Sequence, residues 1–128
     1  MTPKFYKCPH CGNVIAMLVD SGVVPVCCGQ PMKPLDARTQ DGAREKHLPV
    51  VEMREGGHLY AKVGEVLHPM QEEHHIVFIA AQTQQGLHFR HLASGDVPEA
   101  LFSLGEEKPV AVYEYCNLHG LWKTVCDA

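Results

Sequence analysis

Residues 49–63 read PVVEMREGGHLYAKV, two apolar or alternating runs on either side of a glycine-rich turn. The turn Glu55-Gly56-Gly57 suits a hairpin, because glycine accepts positive φ angles without steric cost. Five further runs of this kind follow, separated by turn-forming residues, at 76–82, 87–92, 99–104, 109–116 and 121–125. About seven short strands at this spacing predict an antiparallel β-sandwich, so the expected fold class is mainly β.

The composition excludes several classes of protein. Hydrophobic residues make up 45% of the chain and charged residues 20%, which is typical of a globular protein with a core and not of a disordered or fibrous one. The formal net charge is −4, and no run of Lys and Arg is present to neutralise phosphates. We therefore expect no nucleic-acid partner.

The start of the chain and its hydropathy predict a cytoplasmic protein that does not cross a membrane. No apolar run follows the first basic residue, Lys4, and no stretch of about 18 uncharged apolar residues occurs. Because cytoplasmic thiols are kept reduced, the six cysteines are interpreted first as metal ligands or reactive thiols and only second as disulfides.

Cysteine and histidine are unevenly distributed, which predicts two sites. Four of the six cysteines lie in the first 28 residues, whereas seven of the nine histidines lie between His47 and His91. The polar, turn-rich stretch 34–42 is the predicted linker, so we expect a module of residues 1–37 and a domain of residues 38–128. The module has predicted strands near 5–7, 14–19 and 23–26, but it is too small to bury a core and should need a metal.

The first predicted site contains four thiols. Cys8 and Cys11 form a Cys-x2-Cys motif, and Cys27 and Cys28 follow as an adjacent pair. Four sulfurs suit zinc or iron, and spacing alone would favour zinc. The adjacent pair favours iron instead, because neighbouring side chains normally point apart and must be strained to bind one ion. His10 lies between two ligands and is interpreted as an exposed residue.

The second predicted site combines imidazoles with a thiol. Its candidate residues are His47, His68, His74, Cys116 and His119. A soft thiolate with several neutral imidazoles favours a redox metal such as iron over magnesium or calcium, while zinc and copper stay open. Five protein ligands would leave one octahedral position for a small ligand.

These motifs, in this order along nearly the whole chain, resemble the desulfoferrodoxin family. They are Cys8-x2-Cys11, Cys27-Cys28, Glu45-Lys46-His47-Leu48-Pro49-Val50, His68-Pro69-Met70, Glu73-His74 and Tyr115-Cys116-Asn117-Leu118-His119-Gly120-Leu121-Trp122. The resemblance implies two irons per chain. One is a desulforedoxin-like FeS4 centre held by Cys8, Cys11, Cys27 and Cys28. The other is a catalytic iron with His47, His68, His74 and His119 equatorial and Cys116 axial.

The resemblance also implies a function and partners. It implies a superoxide reductase that reduces superoxide to hydrogen peroxide, an immunoglobulin-like sandwich for the catalytic domain, a homodimer, and rubredoxin or a similar carrier as electron donor. Lys46 is expected to steer the anion and to order a proton-donating water. Glu45 matches the carboxylate that fills the sixth position of the resting ferric site.

Two other functions account for parts of this pattern. A zinc hydrolase with a structural zinc knuckle does not explain a fifth ligand and a thiolate, since three ligands and a water suffice for that chemistry. A zinc or iron protein for electron transfer or metal binding, without catalysis, is the alternative that the four-thiol site alone would allow. A coloured protein would favour iron over zinc.

Five side chains depart from the motifs or fall outside them. His75 follows His74 where relatives often carry an aromatic residue, so a shift of one residue would let His75 compete as a ligand. Cys126 is interpreted as an exposed thiol without a redox role. His58, His88 and His91 are interpreted as surface residues.

Overall fold

The computed structural model describes residues 2–40, 47–64 and 68–126. Those residues form strands, turns and loops and no helix, so none of them belongs to a helix able to cross a membrane. The chain divides into two compact units, Met1–Asp36 and Ala37–Ala128. The predicted mainly β class is confirmed.

The first unit contains five short strands. They are β1 Phe5–Lys7, β2 Val14–Ala16, β3 Val26–Cys27, β4 Gln30–Pro31 and β5 Lys33–Leu35. One antiparallel sheet has the order β2-β1-β5, and β3 pairs with β4 as a separate ribbon. β4 and β5, each of which contains a proline, were not predicted. Proline lacks the ladder N–H and is tolerated here because β5 is an edge strand.

The second unit contains seven strands in two antiparallel sheets. They are β6 Pro49–Arg54, β7 His58–Val63, β8 Ile76–Thr83, β9 Leu87–His91, β10 Glu99–Ser103, β11 Pro109–Cys116 and β12 Gly120–Val125. The sheet orders are β10-β7-β6 and β12-β11-β8-β9. The predicted seven strands and the predicted sandwich are confirmed, with bounds that differ by at most a residue or so from the sequence pattern.

The core of the second unit lies between its two sheets. It contains Leu59 of β7 and Phe102 of β10 from one sheet, and Ile79 of β8 and Val112 of β11 from the other. Along β7 and β10 every second residue is buried, which is the pattern of a sheet with one face in the core. The central strands β8 and β11 are buried almost throughout, so the four-stranded sheet is a rigid support for residues at its ends.

The predicted hairpin turn joins β6 to β7. Gly57 has φ +75°, and a Cβ atom there would collide with the carbonyl oxygen of Gly105. The same glycine accepts a 2.9 Å hydrogen bond from Leu104 N. Glycine is required at position 57 for both its backbone angle and the close approach of a second chain segment.

Candidate metal centres

The four cysteines of the first unit converge. Their sulfur atoms all lie within 4.8 Å of one another, and the Sγ atoms of Cys11 and Cys27 are 3.6 Å apart. Cys8 is buried in the small core of this unit, whereas Cys11 and Cys28 are exposed. Two short loops therefore bring four thiols to one point at the edge of the module.

The adjacent pair is accommodated by the backbone. Cys28 has φ +54°, the only positive φ of a non-glycine residue in the described ranges, and Gly29 follows at +72°. A left-handed conformation turns the Cys28 side chain back toward its neighbour, where extended backbone would direct the two side chains to opposite sides. The backbone at Cys28 thus adopts a conformation that non-glycine residues rarely take, and this brings the adjacent pair to one cluster.

The pKa values of these thiols indicate that a cation is needed for all four to ionise. The pKa of Cys8 is lowered to about 6, chiefly because Cys11 N donates a 3.4 Å hydrogen bond to its sulfur. The pKa of Cys28 is raised to about 12, because the sulfurs of Cys11 and Cys8 favour its protonated form. Four crowded sulfurs cannot all ionise near neutral pH without a positive charge between them. A metal ion supplies that charge, and an S4 donor set suits iron or zinc.

Four imidazoles of the second unit form a closed ring. The ring centroids of His47 and His68 are 4.7 Å apart, those of His68 and His74 4.7 Å, those of His74 and His119 5.1 Å, and those of His119 and His47 4.9 Å. Each imidazole therefore has two imidazole neighbours, and His68 and His119 lie opposite each other. This is the arrangement expected of four nitrogens around one ion.

A thiol lies against two opposite members of this ring. Cys116 Sγ is 3.7 Å from His68 Nε2 and 3.8 Å from His119 Nδ1. The donor atoms of these three residues and His47 all lie within 4.8 Å of one another. Cys116 is completely buried, and His47 and His68 are nearly so, while His119 is exposed. The donor set is therefore four imidazoles and one thiol, with one edge at the protein surface.

Neighbouring groups orient the imidazoles. His68 Nδ1 lies 2.7 Å from the carbonyl oxygen of Pro69, which assigns the proton to Nδ1 and leaves Nε2 to bind a metal. His47 Nδ1 lies 3.6 Å from Glu114 Oε1, a carboxylate that is fully buried. A buried carboxylate needs positive charge nearby, and a metal-bound imidazole provides it.

The comparisons with known proteins cover the whole of this arrangement. Residues 39–125 match the family described as Desulfoferrodoxin, and residues 2–35 match the family described as Desulfoferrodoxin, N-terminal domain. The chain belongs to the desulfoferrodoxin family.

Curated relatives and a solved structure agree with this membership. The chain is 47% identical over 120 residues to the desulfoferrodoxin of Nitratidesulfovibrio vulgaris, covering 94% of each chain. It is 44% identical over 121 residues to a desulfoferrodoxin homolog of Archaeoglobus fulgidus, covering 94% of this chain and 95% of the relative. The superoxide reductase of Treponema pallidum superposes with a TM-score of 0.83 at 30% identity, covering 96% of this chain and 98% of that one.

The structure places the candidate residues of the desulfoferrodoxin motifs as two clusters. The predicted pair of metal centres is confirmed by the four thiols and by the imidazole ring with its thiol. His74, and not His75, takes part in that ring. Glu45 and Lys46 lie outside the described residues.

Four other histidines and the sixth cysteine belong to neither cluster. His10 and His91 are exposed, and His58 and His88 are half-buried. Cys126 is partly buried and packs against the core, so its interpretation as an exposed thiol was wrong. It sits there because the end of β12 is paired to β11, and Cys126 N donates a 2.9 Å hydrogen bond to Val110 O.

Sequence reasoning gave no role to three residues that surround the imidazole ring. Glu114 approaches His47, Trp122 stacks on His47, and Asn117 binds the segment that carries His74. A signal for Glu114 was present, because an acidic residue in the middle of an apolar strand is rarely buried without a partner. Asn117 and Trp122 stood in the family motif around Cys116, but nothing in the motif indicated what they contact.

Proposed function

We propose that this desulfoferrodoxin is a two-iron superoxide reductase, which converts superoxide, one electron and two protons into hydrogen peroxide. The observation that carries the proposal is the ring of four imidazoles closed by Cys116, in a chain that aligns almost end to end with a solved superoxide reductase. The function predicted from the sequence agrees with these findings.

The charge of the donor set suits a small anionic substrate. Four neutral imidazoles and one thiolate leave a ferrous site at a net charge of +1, and burial of the donor atoms strengthens its field. Bound iron supplies the electron and one coordination position that the protein does not fill. The chain as a whole is negative, at −4, so attraction of an anion has to come from this local charge.

The residues of the chain divide the work of the site. Cys116, buried at the end of β11, donates thiolate electron density, which favours transfer of an electron outward. His47 and His68 hold their donor nitrogens in fixed orientations through Glu114 and the Pro69 carbonyl. The exposed His119 brings the edge of the ring to the surface, where a small anion and an electron carrier can approach.

Two further residues are assigned roles by this proposal. Lys46 steers superoxide and orders a water that donates protons to the product. Glu45 would supply a carboxylate ligand to the oxidised iron. Both assignments are supported by the match to the family motif next to His47.

The two compact units support the assignment of one metal centre to each unit. We assign residues 1–37 to an FeS4 module and residues 38–128 to the catalytic domain. The FeS4 iron is held by Cys8, Cys11, Cys27 and Cys28, and the catalytic iron by His47, His68, His74, His119 and Cys116.

The proposal extends to partners and compartment. A cytoplasmic carrier such as rubredoxin would return the electron that each turnover consumes. A homodimer is supported by the first unit, where Leu18, Val19, Val23 and Val26 are more than 60% exposed. Four exposed apolar side chains on so small a module are more than a solvated surface needs, and contact with a second copy would cover them.

The function is tested by measuring the iron content of the protein and the amount of hydrogen peroxide formed per superoxide consumed. The purified protein should contain iron in two spectroscopically distinct sites, and each superoxide consumed should yield one hydrogen peroxide and oxidise the enzyme by one electron. Dismutation would yield half as much peroxide without net oxidation. A protein that binds metal but neither consumes superoxide nor becomes oxidised by it would instead be a metal-binding or electron-transfer protein.

A matched pair of thiol variants sharpens that experiment. Cys116→Ser should abolish the reaction because it removes the thiolate of the ring. Cys126→Ser changes a thiol of the same unit outside the cluster and should leave the reaction intact.

A further inference from the structure

Asn117 occupies the turn between β11 and β12, directly after the thiol donor Cys116. It makes three hydrogen bonds to a distant segment of the chain. Its backbone N donates to His75 O at 3.2 Å, its Oδ1 accepts from His75 N at 2.9 Å, and its Nδ2 donates to Glu73 O at 3.0 Å. The Asn117 side chain thus binds the peptide groups on both sides of residue 74.

The backbone N–H and carbonyl of residue 74 itself are held by a second residue, Gln71. His74 N donates to Gln71 O at 3.2 Å, and Gln71 N donates to His74 O at 2.9 Å. Together with the bonds from Asn117, five hydrogen bonds fix the backbone around His74. A short loop secured in this way presents its central side chain in one direction only.

The neighbouring histidine makes this restraint necessary. His75 Nδ1 is buried, and within the described parts of the chain it has no hydrogen-bond partner. A shift of one residue along an extended chain exchanges the directions of successive side chains. Without a restraint, His75 could present its imidazole to the metal in place of His74.

We infer that Asn117 is a positioning residue that holds His74, and not His75, toward the metal of the imidazole ring. The inference rests on the proposed function only in taking iron as that metal. Because Asn117 follows Cys116 directly, one turn sets both the thiol donor and the loop that carries the fourth imidazole. The residue itself contacts neither substrate nor metal.

The test measures iron retention in the full-length protein. Loss of groups that orient a metal ligand typically lowers metal affinity about 10- to 100-fold. We expect a loss of that size in Asn117→Ala during competition with a chelator. The isosteric Asn117→Asp keeps the acceptor for His75 N but loses the donor to Glu73 O, so its loss should be smaller. Leu118→Ala is the matched control, because Leu118 lies in the same turn with 60% of its surface exposed.

A double-mutant cycle distinguishes positioning from general support of the fold. His75→Ala should leave the visible band of the oxidised site unchanged in the wild-type background. In Asn117→Ala, where His75 competes, the band should shift, and adding His75→Ala should restore its position. Such dependence of one substitution on another is the signature of coupled residues. Because the four-thiol centre lies in the other compact unit, the folding of each variant is checked on the catalytic domain itself, by its far-UV circular dichroism and its unfolding in urea.

Either of two results would overturn the inference. One is equal iron retention in Asn117→Ala, Asn117→Asp and Leu118→Ala. The other is the absence of coupling between positions 75 and 117 in the visible band. Since both readouts concern iron binding and not turnover, they decide the role of Asn117 whether or not superoxide is the substrate, and the superoxide assay tests the function separately.

Discussion

The imidazole of His47 is stacked on the indole of Trp122, with ring centroids 4.7 Å apart and planes inclined by 13°. The same indole donates a 3.1 Å hydrogen bond from Nε1 to the backbone oxygen of His119. Trp122 is buried, with 4% of its surface exposed. One side chain outside the donor set therefore supports two neighbouring members of the imidazole ring.

Replacing Trp122 by Phe should separate these two contacts. An aromatic ring stays beside His47, but the hydrogen bond to His119 O is lost, and a bond of this kind contributes about 0.5–1.5 kcal/mol. We expect a lower free energy of unfolding of the iron-free protein in urea and faster loss of the catalytic iron to a chelator. Phe89→Leu, at a ring that is 43% exposed, should change stability by less than about 0.5 kcal/mol. Equal effects of the two substitutions would contradict a specific role for the indole N–H.

Changing Glu114 to Gln should weaken iron binding at the imidazole ring. The substitution preserves shape but removes the negative charge 3.6 Å from His47 Nδ1, and that charge makes the imidazole a better donor. The expected loss of iron affinity is about 10- to 100-fold, measured by chelator competition. Glu107→Gln, a carboxylate paired with His88 away from both clusters, should bind iron as the wild type does. Unchanged iron affinity in Glu114→Gln would show that the carboxylate does not tune His47.

Replacing Cys8 by Ser should remove the visible absorption of the four-thiol centre while leaving superoxide reduction in place. The two clusters share no residue, so loss of one metal should not unload the other. The first unit should also become less stable, because a module of this size depends on its metal. The readouts are the visible spectrum, iron content and the rate of superoxide consumption. Complete loss of that rate, in a variant that still holds iron at the imidazole ring, would refute the independence of the two sites.

Changing Lys46 to Ala should slow the encounter with superoxide. Electrostatic steering by whole clefts accelerates association by about 10- to 1,000-fold, so one lysine should account for the lower end of that range. Pulse radiolysis over a salt series measures the effect, because screening shortens to about 8 Å near physiological ionic strength. The wild-type rate should fall with salt more steeply than that of the variant. Equal rates and equal salt dependence would leave the charge of the metal as the sole attractor.

Glu107 should contribute to the acid sensitivity of the fold. Its pKa is lowered from 4.5, because the Thr83 hydroxyl donates a 2.6 Å hydrogen bond to Oε1 and His88 Nε2 lies 3.3 Å away. A lowered pKa in the folded state means that the ionised carboxylate stabilises the fold above the unfolded value of 4.5. That stabilisation is lost as the pH falls through the lower folded pKa.

The corresponding variant is Glu107→Gln. It should reduce the difference in unfolding free energy between neutral pH and pH below 4.5, measured on the iron-free protein. Glu106→Gln, an exposed neighbour, serves as the control. A pH dependence identical in the two variants would mean that Glu107 does not contribute.

Much of the architecture was predictable because its signals are local. The alternation in residues 58–63 and the glycines of the preceding turn predicted β7 and its hairpin, since strand periodicity and turn angles are properties of short segments. The spacing of Cys8 and Cys11 likewise predicted a metal-binding loop. β4 and β5 were not predictable because Pro31 and Pro34 argue against strands. Proline is tolerated at the edge of a sheet, and which strands lie at an edge is known only from the assembled structure.

The sequence by itself determined which residues can serve the two sites. Cysteine pairs, histidine motifs and strand patterns each involve only a few neighbouring positions, so they can be recognised locally. Only the tertiary structure decided which of His74 and His75 joins the ring, and it placed Glu114 and Trp122 against His47. The second outcome depends on the packing around His47. The first depends on the register of β8 with β11, where Ile76 pairs with Cys116 across 40 positions of the chain. Such pairing is set by the packing of the whole sandwich, and no local pattern encodes it.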